Sequence, residues 1–130
     1  MPRFTPRVVL LLDGAGAALT ALLLILVLAP RERFFGLPRG VAVSLALFGG
    51  LFASFSLVSA LCSIVDRRPY LRAIAFANFG YCVLSIGLAA YYGEVLTLYG
   101  KLYLAVEVLV ITVLATVELV VARGDAQLPR

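Results

Sequence analysis

The sequence contains no histidine, a single methionine and two cysteines among 130 residues. Without histidine, His-ligated haem, His-ligated metal and histidine acid–base chemistry are excluded. Cys62 and Cys82 are not arranged as CxxC, so neither a zinc site nor a thioredoxin-like motif is present. Charge is scarce as well. Only 14% of residues carry it, 63% are hydrophobic, and mean hydropathy is +1.07. Such values fall far outside the range of a water-soluble domain. In a soluble chain the net charge of +4 would suggest nucleic acid. Here the arginines sit in short connectors, where they report topology and meet lipid headgroups, so no nucleic-acid partner is expected. No cofactor motif is present. The length suits one compact unit, a single integral membrane domain over residues 1–130 with the lipid bilayer as its surroundings.

Four apolar stretches fill that unit. The first runs from about Val8 to Ala29, where Pro30 is expected to stop it. The second runs from about Val41 to Val65 without a charge, the third from about Ala73 to Tyr92, and the fourth from about Leu102 to Ala122. Each matches the ~20 residues that cross ~30 Å of hydrocarbon. Arg3 and Arg7 ahead of an apolar run imitate a signal peptide, but the run is too long and carries Asp13, so it reads as a retained helix. The expected fold is all-α, a membrane-spanning up-down four-helix bundle with more than about 70% helix. Short connectors such as 66–72 should make consecutive helices antiparallel neighbours. The segment 31–38 should lie on the membrane surface as an interfacial turn.

Four crossings bring both termini to one side. That side collects Arg3, Arg7, Arg67, Arg68, Arg72, Arg123 and Arg130, while the other holds Arg31, Arg33, Arg39 and Lys101. Seven against four favours cytoplasmic termini. Phe34, Phe35, Tyr91, Tyr92, Tyr99 and Tyr103 cluster at the outer ends and Tyr70 at the inner end, as interfacial rings do.

Three of the seven acidic residues, Asp13, Glu107 and Glu118, lie inside the spans. A carboxylate in hydrocarbon costs several kcal/mol unless it is paired, protonated or facing a polar cavity. At ~1.5 Å rise per residue, Asp13 and Asn78 lie about 8 Å deep, Glu118 about 6 Å and Ser59 about 9 Å, all measured from the terminal side. Every helix therefore offers a polar group to one slab. At 100° per residue Asn78, Tyr81, Cys82 and Ser85 share a face of the third helix, and Ser56, Ser59 and Ser63 share one on the second, continued by Gly49. Asp13, Gly16, Ala17 and Thr20 form a small-residue strip on the first helix, suited to close approach. Glu107 and Glu118, 11 residues apart, point the same way. The spans contain no basic side chain, so Asp13 and Glu118 are expected to face each other and share a proton, with Asn78 donating to them. Serine, threonine and asparagine also serve as ordinary helix glue, which is the simplest role for the serines of the second span. The candidate ligand- or proton-binding residues are Asp13, Asn78, Tyr81, Glu118, Ser59 and Glu107. Cys62 and Cys82 differ by ~9 Å in depth, too far for a disulfide, and are expected to pack as small apolar residues.

Leu12-Asp13-Gly14, Phe34-Phe35-Gly36-Leu37-Pro38, Leu71 to Asn78 with Tyr81-Cys82, and Leu96-Thr97 with Glu107 resemble a family of small bacterial four-helix membrane proteins over nearly the whole chain. The resemblance implies a bacterial inner membrane and no particular activity. In architecture alone the chain is also similar to DoxX-like proteins. Small multidrug resistance transporters share the length, the four helices and an early carboxylate where Asp13 stands, but this chain has none of their tryptophans. Three functions are compatible with the residues. One is a binding or accessory protein whose bundle encloses a small amphipathic or lipid-like ligand. Another is a proton-coupled transporter acting as a homo-oligomer or with a partner membrane protein. The third is a membrane enzyme with Asp13 or Glu118 as its acid–base group.

Overall fold

Thr5 starts the first helix. Its hydroxyl accepts the Val8 N–H at 3.2 Å, and Pro6 occupies the first helical position, where its missing N–H costs nothing. The computed structural model describes residues 5–62 and 65–127, so Arg3, Ser63 and Arg130 lie outside the described residues. Helix α1 spans Pro6–Leu23 and then changes winding where a stop was expected. Leu24–Leu28 forms a π turn, Ala29–Arg31 a 3-10 turn, and a short helix, α2, follows at Glu32–Phe35. Pro30 offers no N–H to the Leu26 carbonyl, and the Arg31 guanidinium replaces it, donating to Leu26 O at 3.2 Å and Val27 O at 3.3 Å. The helical path therefore runs on to Phe35, and Gly36 ends it in the left-handed region at φ 76°.

Helices α3 (Arg39–Leu61), α4 (Arg68–Tyr91) and α5 (Leu98–Gln127) complete the chain. Helix α3 stops four residues before its apolar run does. The cause is Arg67, whose guanidinium donates to the carbonyls of Ser59 (3.1 Å), Ala60 (3.4 Å) and Cys62 (2.8 Å) at the helix end. Asp66 accepts the Arg68 N–H at 3.1 Å and Pro69 enters the first turn, so α4 begins earlier than the apolar run. The described residues are 88% helical with no strand among them, and four helices are long and apolar enough to cross a membrane. The all-α up-down bundle is thus the observed fold.

The packing forms two hairpins. α1 lies mainly along α3 and α4 mainly along α5, whereas α3 and α4, though joined by a short connector, touch less. Close approach of α1 and α3 depends on Gly14 and Gly49. A Cβ on Gly14 would meet Leu57 Cγ at 2.6 Å, and one on Gly49 would meet the Ala17 carbonyl at 3.3 Å. Gly16, expected on the packed strip, is exposed, and a Cβ there would meet nothing within 4 Å. Two apolar clusters close the bundle at its ends: Val9, Leu10, Leu71 and Ile74 toward the termini, and Leu24, Leu28, Leu45 and Leu104 toward the connectors. Only 22–33% of each span's most apolar window is buried, so most of the apolar surface faces outward, where lipid is the solvent that suits it.

At the connector end, 31–38 does not lie free as a surface turn. The Thr97 hydroxyl donates to Phe34 O at 2.6 Å and accepts the Gly100 N–H at 3.3 Å, and Thr97 N donates to Phe35 O at 3.1 Å. Phe34 stacks on Tyr99, with centroids 4.5 Å apart and planes at 18°. The start of α5 is thereby fastened to α2. This clasp needs Gly100, where a Cβ would run into the Phe35 carbonyl. Gly100→Ala should lower stability by about 1–3 kcal/mol, whereas Gly80→Ala, with open space around it, should leave stability unchanged or raise it. Unfolding by SDS titration in mixed micelles measures both, and equal stabilities would remove the clasp from the account.

Candidate functional site

Three helices bring their polar side chains to one point. Asp13 (α1), Asn78 (α4) and Glu118 (α5) are 2%, 5% and 0% exposed. Asn78 Nδ2 donates to Asp13 Oδ1 at 2.7 Å and to Glu118 Oε1 at 3.0 Å, so one amide group spans both acids. Facing two acceptors, asparagine must present its nitrogen, and the amide carries two hydrogens for the two bonds. α3 contributes Ser56, whose hydroxyl donates to Asp13 Oδ2 at 2.5 Å. Glu118 Oε2 is buried without a hydrogen-bond partner.

Ser59, expected in this position, does not reach it. Depth counted from the end of the apolar run at Val65 is misleading, because Arg67 ends α3 at Leu61. Four residues is about one helical turn, and the serine one turn deeper is Ser56. Ser59 is buried nearer the helix end, where its carbonyl serves Arg67.

Tyr81 and Glu107 belong to a second polar group, one level toward the connectors. Glu107 is the acidic neighbour of the Tyr81 and Tyr103 hydroxyls, and Ser85 is a neighbour of Tyr81. Tyr81 Oη, Ser85 Oγ and both Glu107 oxygens are buried without hydrogen-bond partners. Tyr103, expected as an interfacial ring, is half-buried and turned toward Glu107. Cys82 is buried, its thiol 3.7 Å from Val108 O and 3.5 Å from Thr112 Oγ1, and helps hold α4 to α5. Cys62 is exposed beyond the end of α3 and does not pack as a core residue, because Arg67 has ended the helix before it. Among the described residues no group of three or more His, Cys, Asp or Glu side chains could hold a metal ion.

A cavity of about 50 Å³ adjoins the carboxyl pair. Asp13, Thr20, Asn78 and Tyr81 are the polar residues of its wall, and Gly49, Phe52 and Ile111 supply much of its apolar wall. Gly16 and Val110 also line it and are exposed, which places its mouth between α1 and α5, two helices with only slight mutual contact. In a bilayer that mouth opens to lipid. No protein-family profile matches the sequence, and no curated protein or solved structure matches it either.

The bridge should appear as coupling between residues. Asn78→Ala removes the donor from two buried acids and should cost about 1–3 kcal/mol. In the Asp13→Ala background the same change should cost less by at least about 0.5 kcal/mol. A double-mutant cycle by SDS unfolding reads this directly, and strict additivity would show that the two side chains do not share an interaction.

Proposed function

We propose that this protein binds a small amphipathic, lipid-like molecule from the bilayer, placing its polar head against Asp13 and Asn78. The cavity mouth between α1 and α5, with a carboxylate at its inner wall, carries this reading. At its Asp13 end the wall offers mainly acceptors. Asn78 has given its amide hydrogens to the two acids, and Ser56 has given its own to Asp13. The fitting head group is therefore a hydrogen-bond donor, such as an alcohol or an amine. About 50 Å³ accommodates a head group and not a whole lipid, so the hydrocarbon part stays in the groove and in the surrounding lipid. The same volume argues against a solute carried through a single copy. No histidine or nucleophile–base pair supports an enzyme.

The membrane is best taken as a bacterial inner membrane on the likeness of motifs, with cytoplasmic termini on the seven-to-four count of basic residues. Protease added to right-side-out vesicles should then spare a C-terminal tag.

Binding is tested with radiolabelled dodecan-1-ol and dodecylamine on protein in lipid nanodiscs. Asp13→Asn should weaken binding of the preferred probe by about tenfold or more, ~1.4 kcal/mol. Gly16→Leu should do the same by filling the mouth, and it has room to fold because a side chain there meets nothing. Unchanged binding in both variants would refute the site.

A further inference from the structure

Glu107 has no part in the Asp13 site. It stands 11 residues from Glu118 on α5, about 16 Å along the helix, and is 7% exposed. Buried oxygens without partners are rare in folded proteins, and here four of them, on Glu107, Tyr81 and Ser85, sit among one another. The π turn after α1 and helix α3 bring apolar residues to this part of the core, including Leu24, Leu28 and Leu45. The titratable groups facing Glu107 are Tyr81 from α4 and Tyr103 from its own helix.

We propose that Glu107, Tyr81 and Ser85 form a proton-holding site, joined through Tyr81 and the cavity to the Asp13–Glu118 pair, so that the bundle carries a proton relay between its two ends. A lone carboxylate with two hydroxyls is a poor metal site, since hard cations want six or more oxygens or several carboxylates. A proton needs much less. When Glu107 is charged, the Tyr81 and Tyr103 hydroxyls donate to it, and Ser85 donates to Tyr81 Oη. When it is protonated, it donates and a hydroxyl accepts. The same side chains serve both states with no counterion.

Tyr81 gives the site its direction. Its ring lines the cavity beside Asp13 and Asn78, while its hydroxyl faces Glu107. The cavity is large enough for one or more water molecules to bridge Tyr81 to Asp13. In each step one O–H bond breaks and one forms. The Glu107 carboxyl gives its proton to Tyr81 Oη while the phenol, its O–H turned to the cavity, passes its own through a bridging water to the Asp13 carboxylate, so that Glu107 ends ionised, Asp13 protonated and Tyr81 neutral. Tyr103, one turn beyond Glu107 and half-buried, leads to the connector surface. Glu118, one turn before Ala122 of the terminal apolar cluster, is the buried acid of α5 nearest the other end.

The full-length protein in liposomes enclosing pyranine, with a valinomycin-clamped potassium gradient drawing protons inward, tests the relay. Proton entry should exceed that of protein-free liposomes. Tyr81→Phe should slow it by about tenfold or more, and Glu107→Gln should reduce it to the protein-free rate, with helical content by circular dichroism unchanged. Wild-type entry equal to the protein-free rate would overturn the proposal, as would wild-type rates in Glu107→Gln. If Glu107→Gln fails to insert, a wild-type rate in Tyr81→Phe overturns it alone. Dodecylamine or dodecanol binding should survive Glu107→Gln, so failure of the relay and failure of the ligand site give different results.

Discussion

The Asn78 amide holds two acids in place inside a bundle that offers them no cation. Everything near the site follows from that constraint. Two carboxylates in low dielectric repel each other and each loses its water, so they persist only with strong donors and with fewer than two charges between them. The amide bonds each of them and Ser56 adds a third donor, while the spare Glu118 oxygen, buried and unpartnered, is a natural place for the shared proton. The apolar clusters at either end limit the bulk water that can relieve this arrangement and leave the buried polar groups as the polar path through the core. The polar site is therefore expensive to build, and its retention in so small a bundle argues for a role beyond helix glue.

Arginines at the membrane boundary set where the site can form. Arg67 ends α3 by taking three of its carbonyls, and Arg31 carries the first span past Pro30 by replacing a missing backbone donor. Both act through the helix backbone and not through ion pairs. The close packing of α1 on α3 brings Ser56, one turn inside that end, to Asp13.

Much of this could be read from the sequence. Hydropathy alone gave the four helices, and counting residues from span ends brought Asp13, Asn78 and Glu118 to one depth, because acids in hydrocarbon have few places to go. Ser59 was misplaced because an apolar run does not reveal where its helix stops; that depended on a side chain eight residues away. The continuation through Pro30 was hidden for a related reason, since a proline reads as a break unless a neighbour supplies the lost hydrogen bond. Gly16 and Gly14 differ by only two residues, and helix periodicity assigned the packed role to the wrong one. The pairing of α1 with α3 and of α4 with α5 follows the expectation that consecutive spans are neighbours, whereas α3 and α4, joined by the short 66–72 connector, touch far less than that connector suggests.

The most direct test of the central claim is infrared spectroscopy of the protein in lipid at neutral pH, read as the difference between wild type and Glu118→Gln. A shared proton predicts a protonated-carboxyl C=O band in the wild type that is lost or displaced in the variant, and a matching change in Asp13→Asn. If the difference shows only ionised carboxylate stretches, both acids are charged, and the bridged pair described here does not exist.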